Sequence, residues 1–251
     1  MAVTLEVVGV GKDFLIPVID SVSFTVEGGE FVCLLGPNGC GKTTLLRIVG
    51  GLEPPTRGRV LLGGEPVAGS GRHGRKVGVV FQEDRLLPWM SLRENVELVL
   101  LPLGLDARAR RATAERYLRL AGLAGFEGYY PARVSGGMRQ RAAIARALAI
   151  EPDLLLMDEP FGALDAQNRR IMQAEVRRIW RETGRTIVFV THAIEEAVAI
   201  GTTLIMLSAR PSRIRAEMRN DGRLARAALV DHLNALIMEE VERQQGASST
   251  A

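Results

Sequence analysis

The stretch GPNGCGKTT, Gly36 to Thr44, sets three glycines, a lysine and two threonines at the spacing G-x-x-x-x-G-K-T. Gly36, Gly39 and Gly41, with Pro37, Asn38 and Cys40 between them, let the chain turn tightly, so that successive backbone N–H groups wrap phosphates. Lys42 then reaches the β and γ oxygens and the Thr43 hydroxyl ligates Mg²⁺. A second set, LLLMDEP from Leu154 to Pro160, delivers two carboxylates to the end of an apolar run. Adjacent acids in that position by themselves read as a helix cap or a loop pair. After a phosphate loop they read as chemistry, with Asp158 holding Mg²⁺, directly or through water, and Glu159 polarising the water that attacks a γ-phosphate. His192, ending VTH, is either a cap or a further group at the same edge of a sheet. VSGGMRQRAAIARAL, Val134 to Leu148, is a second glycine pair at the mouth of a helix, another place where N–H groups gather around an anion. Cys40 is expected to be a small filler rather than a redox group.

These residues need elements to hold them. From Val3 to Val26 the apolar residues alternate, which predicts antiparallel strands with one buried face. Phe31 to Leu35 are continuously apolar, as in a strand buried on both faces of a parallel sheet, and KTTLLRIVGGL after the loop has helical period. Gly50 to Lys76 reads as turns around a short hairpin, RVLLGGEPV, on the sheet edge. VGVVFQ, DLLLMD and TIVFVTH read as strands, with the long helix DAQNRRIMQAEVRRIWRETG before the last of them. Three helical stretches form an insert from about residue 86 to 150, and the tail from about 244 to 251 reads as disordered. The expected fold is α/β, a doubly wound phosphate-loop (P-loop) NTPase core with an N-terminal antiparallel β subdomain and an inserted helical subdomain, taken as one domain over 1–251.

Composition narrows the function. The chain has 251 residues, 47% hydrophobic and 24% charged, with two cysteines and a net charge of +3. That supports a sizeable core and gives neither a disulfide framework nor a metal-ligand cluster. The amino terminus lacks the pattern of a signal peptide, and the longest apolar runs fall below the roughly 18 residues that suggest a membrane span. The arginine-rich stretches lack interleaved aromatics, so they read as solvated faces and no nucleic-acid partner is expected.

In order along the chain, GPNGCGKTT, Gln82, VSGGMRQR, LLLMDEP, the ALD ending at Asp165, and His192 resemble the Walker A loop, Q-loop, signature, Walker B, D-loop and switch histidine of the ATP-binding subunits of ABC transporters. Val134 stands where that family usually has leucine and Met138 where it commonly has glutamine. The resemblance implies that Phe14 stacks on adenine, and that Gln82 ligates Mg²⁺ or its water and reports closure to the helical insert. It implies ATP as the ligand and a head-to-tail dimer in which Ser135, Gly136 and Gly137 of one subunit close over the ATP held by the other. It further implies separate integral membrane permease subunits, a solute-binding protein reached through them, and a place on the cytoplasmic face of the membrane.

FQEDRLLPWMSLRENV and LSARPSRI are similar to the branch that imports nitrate, sulfonates, taurine and related small solutes. AIGTTLIML departs from that branch, which commonly carries an alanine-aspartate-arginine run there. Two other classes compete. A non-transport ABC ATPase would carry paired cassettes or a long coiled-coil insert, and a P-loop kinase would not need the SGG helix start.

Overall fold

The computed structural model describes residues 3–67, 76–162 and 164–248. In chain order the elements are β1 (Leu5–Asp13), β2 (Pro17–Val26), β3 (Phe31–Leu35), α1 (Lys42–Val49), β4 (Arg57–Leu62), β5 (Glu65–Pro66), β6 (Val77–Val80), α2 (Leu92–Leu98), α3 (Ala107–Leu120), α4 (Gly136–Ala149), β7 (Leu154–Asp158), α5 (Ala166–Thr183), β8 (Thr186–Val190), α6 (Ile194–Ile200), β9 (Thr203–Leu207), β10 (Ile214–Arg219) and α7 (Arg226–Ser248). They form two compact units, 1–74 with 186–251, and 75–185.

In the first unit the alternating amino-terminal segment becomes a four-stranded antiparallel sheet in the order β2-β1-β4-β5. Its period of two buries Val22, Phe24 and Val26 on one face of β2 while the residues between them stay exposed. The continuously apolar β3 is buried at all five positions and pairs in parallel with β8 on one side and β9 on the other. Such strands have no polar face because both faces are covered. β10 closes the other side of β9 in antiparallel fashion. Its burial alternates between half-buried and exposed, as an edge strand allows. The two sheets of this unit meet where Ser212 donates its N–H to Val18 and accepts that of Asp20, at 2.9 Å each.

In the second unit β6 and β7 pair in parallel, with Val80 opposite Met157. The expected insert contains α2, α3 and α4. α2 starts with a capping box in which Ser91 and Glu94 satisfy each other's backbone N–H groups. α4 packs an alanine-rich face, with Ala142, Ala143, Ala145 and Ala149 all buried.

Two boundaries differ from the sequence reading. The hairpin after Gly50 is not all edge, because β4 is paired on both sides, with β1 and β5; residues 68–75 of that stretch lie outside the described residues. α7 continues through Ser248 where a disordered tail was expected from about 244, and 249–251 lie outside the described residues. The helix is anchored earlier, at Leu229, Leu233 and Glu240, which recur on one face and are buried. The Glu240 carboxylate accepts the Ala209 N–H at 2.9 Å and faces Arg215 at 3.3 Å and Arg243 at 3.0 Å. Among the described residues no helix is long and apolar enough to cross a membrane.

Candidate nucleotide site

The phosphate loop follows β3 and is moulded by its neighbours. A Cβ at Gly36 would lie 2.9 Å from the Leu207 carbonyl oxygen at the end of β9, and one at Gly41 would lie 2.9 Å from Val18 Cγ1 on β2. Gly41 also takes φ 109, a conformation glycine adopts without the clash a side chain brings. Cys40 is buried beneath the loop, and burial pushes its thiol up, outweighing the pull of the nearby Lys42 ammonium. It therefore stays protonated and fills space, as read from the sequence.

Lys42 is buried, and its ammonium donates to the carbonyls of Gly36 and Pro37 at 2.8 and 2.9 Å. A buried cation needs such acceptors. Neutral carbonyls are weaker partners than anionic oxygens, so a phosphate entering the loop offers this lysine a better contact. Asn38 and Gly39 form the exposed crown, while Thr43 and Thr44 are half-buried at the start of α1. No side chain caps that helix, and helix starts of this kind are ready-made anion sites.

Phe14 lies at the β1–β2 turn and is 57% exposed, so it is not a core aromatic. The Lys12 ammonium sits 4.8 Å from the ring centroid. Lys12 is itself fixed by Glu53 at 2.5 Å and by the Pro54 carbonyl at 2.8 Å. His192 is exposed just beyond β8. The buried Thr191 hydroxyl accepts the Ala193 N–H across it, at 3.0 Å, and donates to the buried Glu196 carboxylate at 2.5 Å.

In the second unit the parallel register of β6 and β7 brings their chain ends to one edge, so Gln82 and the Asp158–Glu159 pair leave adjacent strands at the same end. Glu159 adopts φ 43, a left-handed backbone that costs energy for a glutamate. Such outliers cluster where function fixes them. Its carbonyl accepts the Gly162 N–H at 3.1 Å. A Cβ at Gly162 would lie 3.7 Å from Gln82 Nε2 and 3.5 Å from the Glu159 carbonyl oxygen. Gln82 and the carboxylate turn are thus brought together. Asp165 acts locally as the cap of α5, accepting from the Asn168 N–H at 2.9 Å.

Ser135 caps α4, its hydroxyl accepting the Met138 N–H at 3.3 Å. Ser135 and Gly136 are exposed and Gly137 is half-buried. A Cβ at Gly137 would meet nothing within 4 Å, and one at Gly136 only the tip of Arg139, at 3.7 Å. Packing within the chain does not demand glycine at either position, unlike Gly36 and Gly41.

Lys12 beside Phe14, and Thr191 and Glu196 beside His192, escape the motif reading. Their partners are side chains and carbonyls fixed only by the fold. The one local signal is a threonine just before His192 with a glutamate five residues on.

Comparison with known proteins agrees. The model of the ABC transporter family matches residues 19–162. An ABC transporter ATP-binding protein of Methanocaldococcus jannaschii is 44% identical over 88% of this chain and 84% of its own length. The taurine import ATP-binding protein TauB of Burkholderia pseudomallei is 50% identical over 78% of this chain and 74% of its own. A dimeric post-hydrolysis ATP-binding cassette bound to ADP and Pi superposes with a TM-score of 0.74 at 32% identity, covering 87% of this chain and 99% of that one. The phosphate loop, the carboxylate pair and the signature helix start therefore have one common explanation: the chain belongs to the ABC transporter family, as an ATP-binding subunit that hydrolyses ATP.

Proposed function

We propose that two copies of this chain close head to tail over two ATP molecules to energise import of a small solute through separate permease subunits. The observation that carries this reading is the contrast between the two helix starts. One has a buried lysine and two glycines braced by its own unit, and the other opens on an exposed serine and glycines that its own packing does not need. In the proposed site Gly36 to Thr44 wrap the phosphates of one ATP, and Lys42 exchanges its two carbonyls for phosphate oxygens. Phe14 stacks on the adenine with the ring face that Lys12 does not cover. Ser135, Gly136 and Gly137 of the second copy offer a hydroxyl and helix-start N–H groups to the same phosphates. Glu159 takes a proton from the attacking water, and His192 and Gln82 contact the terminal phosphate and its surroundings.

The residues present suit Mg²⁺. Thr43, Gln82 and Asp158 are hard oxygen donors, and among the described residues there is no group of three or more His, Cys, Asp and Glu able to hold a metal. That donor set fits an ion that keeps waters and phosphate oxygens and takes few protein ligands. When bound, it neutralises charge building on the phosphate oxygens.

Docking to a permease is supported by exposed aromatics in the second unit. Trp89 is 69% exposed just before α2, and Phe126, Tyr129 and Tyr130 are exposed in a segment tied to the start of α2. The ties run from the Leu92 N–H to Tyr129 O and from the Arg93 N–H to Glu127 O, at 2.8 and 2.9 Å. Patches of this kind mark interaction surfaces. On this reading the subunit works at the cytoplasmic face of the membrane, and a solute-binding protein meets it only through the permease. The TauB relatives favour a small sulfonate such as taurine as the solute, with nitrate and related small solutes as the wider class.

The test uses purified full-length chain with Glu159→Gln, which keeps ATP from being turned over. ATP is expected to convert it from monomer to dimer in sedimentation, and ADP is not. A chain that stays monomeric at saturating ATP contradicts the proposal. Uptake of radiolabelled taurine into proteoliposomes carrying the permease and binding protein then tests the solute.

A further inference from the structure

The segment after Gln82 is held by two arginines from one face of α4. Arg139 and Arg146 are seven residues apart, two helical turns, and so project on the same side. Arg146 sends its two terminal nitrogens to the carbonyls of Arg85 and Asp84, at 2.7 and 2.8 Å. Arg139 Nε donates to Asp84 Oδ2 at 2.9 Å, and its Nη1 donates to the Val134 carbonyl at 3.2 Å. Val134 immediately precedes Ser135, the cap of α4. One guanidinium thus bridges the carboxylate two residues after Gln82 and the backbone one residue before the signature serine.

The gripped segment is not a relaxed loop. Arg85 takes φ 46, and its guanidinium lies 4.0 Å from the Phe81 ring centroid. Asp84 Oδ1 accepts the Leu86 N–H at 3.1 Å, closing a local turn. A strained backbone of this kind persists only where its surroundings over-determine it, and here those surroundings include α4. Charge-assisted forks are the stronger and more directional hydrogen bonds, so a shift of the segment at Gln82 either drags the start of α4 or breaks them.

We propose that Arg139 and Arg146 are positioning residues for closure, fastening the Asp84–Arg85 segment to α4, Arg139 at its start and Arg146 in its last turn, so that Gln82 sets how Ser135, Gly136 and Gly137 are presented to a second copy. This rests on the reading of Gln82 and Ser135 given above.

The experiment measures ATP-driven dimerisation of the full-length chain in the Glu159→Gln background by sedimentation. Asp84→Asn keeps the Oδ1 acceptor for Leu86 and removes the charge together with the Oδ2 acceptor for Arg139; Arg139→Gln removes the other half of the bridge. Each is expected to weaken dimerisation about tenfold, the double variant no more than either alone, because the two act as one contact. The unfolding midpoint and the ATP affinity of the monomer stay as in the parent. Unchanged dimerisation, additive losses, or a loss that only follows a falling unfolding midpoint overturns the proposal. Ser135→Arg, measured alongside, separates the two readings: if it still dimerises with ATP, the shared site itself fails. If it blocks dimerisation while Asp84→Asn and Arg139→Gln have no effect, only the clamp fails.

Discussion

The chain carries two glycine-bearing helix starts, one in each unit, and they are built on opposite terms. At the phosphate loop two of the three glycines are required by contacts inside the chain: Gly36 lies against Leu207 and Gly41 against Val18. The lysine there is buried on the loop's own carbonyls. At the start of α4 the glycines have open space, and the exposed serine makes a cap bond to the Met138 N–H. A glycine that packing does not need leaves the backbone accessible to something outside the chain. On the proposed reading, one start is a finished receptor for phosphate and the other is half of one.

The contrast can be frozen, broken and tuned. The largest effect is expected from Glu159→Gln, which removes the proposed base while leaving both helix starts intact. Phosphate release falls by a factor on the order of 10² to 10⁴, with ATP still bound in equilibrium dialysis; unchanged turnover would assign the proton to another group. Next comes glycine against glycine. Gly41→Ala introduces both a left-handed alanine and a clash with Val18, at a cost of about 2 to 5 kcal/mol of unfolding free energy in urea titrations. Gly137→Ala shifts the same titration by less than about 0.5 kcal/mol, as for an unconstrained surface position. Equal costs at the two positions would erase the distinction between the starts. The smallest effect belongs to the adenine end of the finished receptor. Phe14→Ala loses one ring contact, and the ATP affinity of the monomer drops by about 2- to 10-fold in a fluorescent-nucleotide titration.

The two starts also differ in how far the sequence discloses them. The phosphate loop is legible in full because its chemistry is local: a buried strand, a glycine turn and a helix follow one another, and β3, the loop and α1 appear where the pattern puts them. The carboxylate strand β7 is legible for the same reason, four buried apolar residues ending in Asp158. What holds these groups is not local. Lys12 meets Glu53 and, 42 residues away in the chain, Pro54, and Arg139 finds Asp84 from 55 residues away. Long-range partners of that kind leave no period or spacing in the chain. The left-handed backbone at Glu159 is hidden as well, since nothing in the residue type favours it. β10 and α7 escape for a different reason. β10 is an edge strand with no continuous apolar run, and α7 is anchored by scattered residues, including a buried glutamate.

The central claim is that the start of α4 completes an ATP site belonging to another copy. The most direct measurement compares Glu159→Gln with Glu159→Gln/Ser135→Arg in sedimentation with saturating ATP. The arginine is introduced at the exposed cap of α4 and leaves the residues of the phosphate loop unchanged. The account predicts a dimer for the first protein and a monomer that still binds ATP for the second. Equal dimerisation of the two would contradict it.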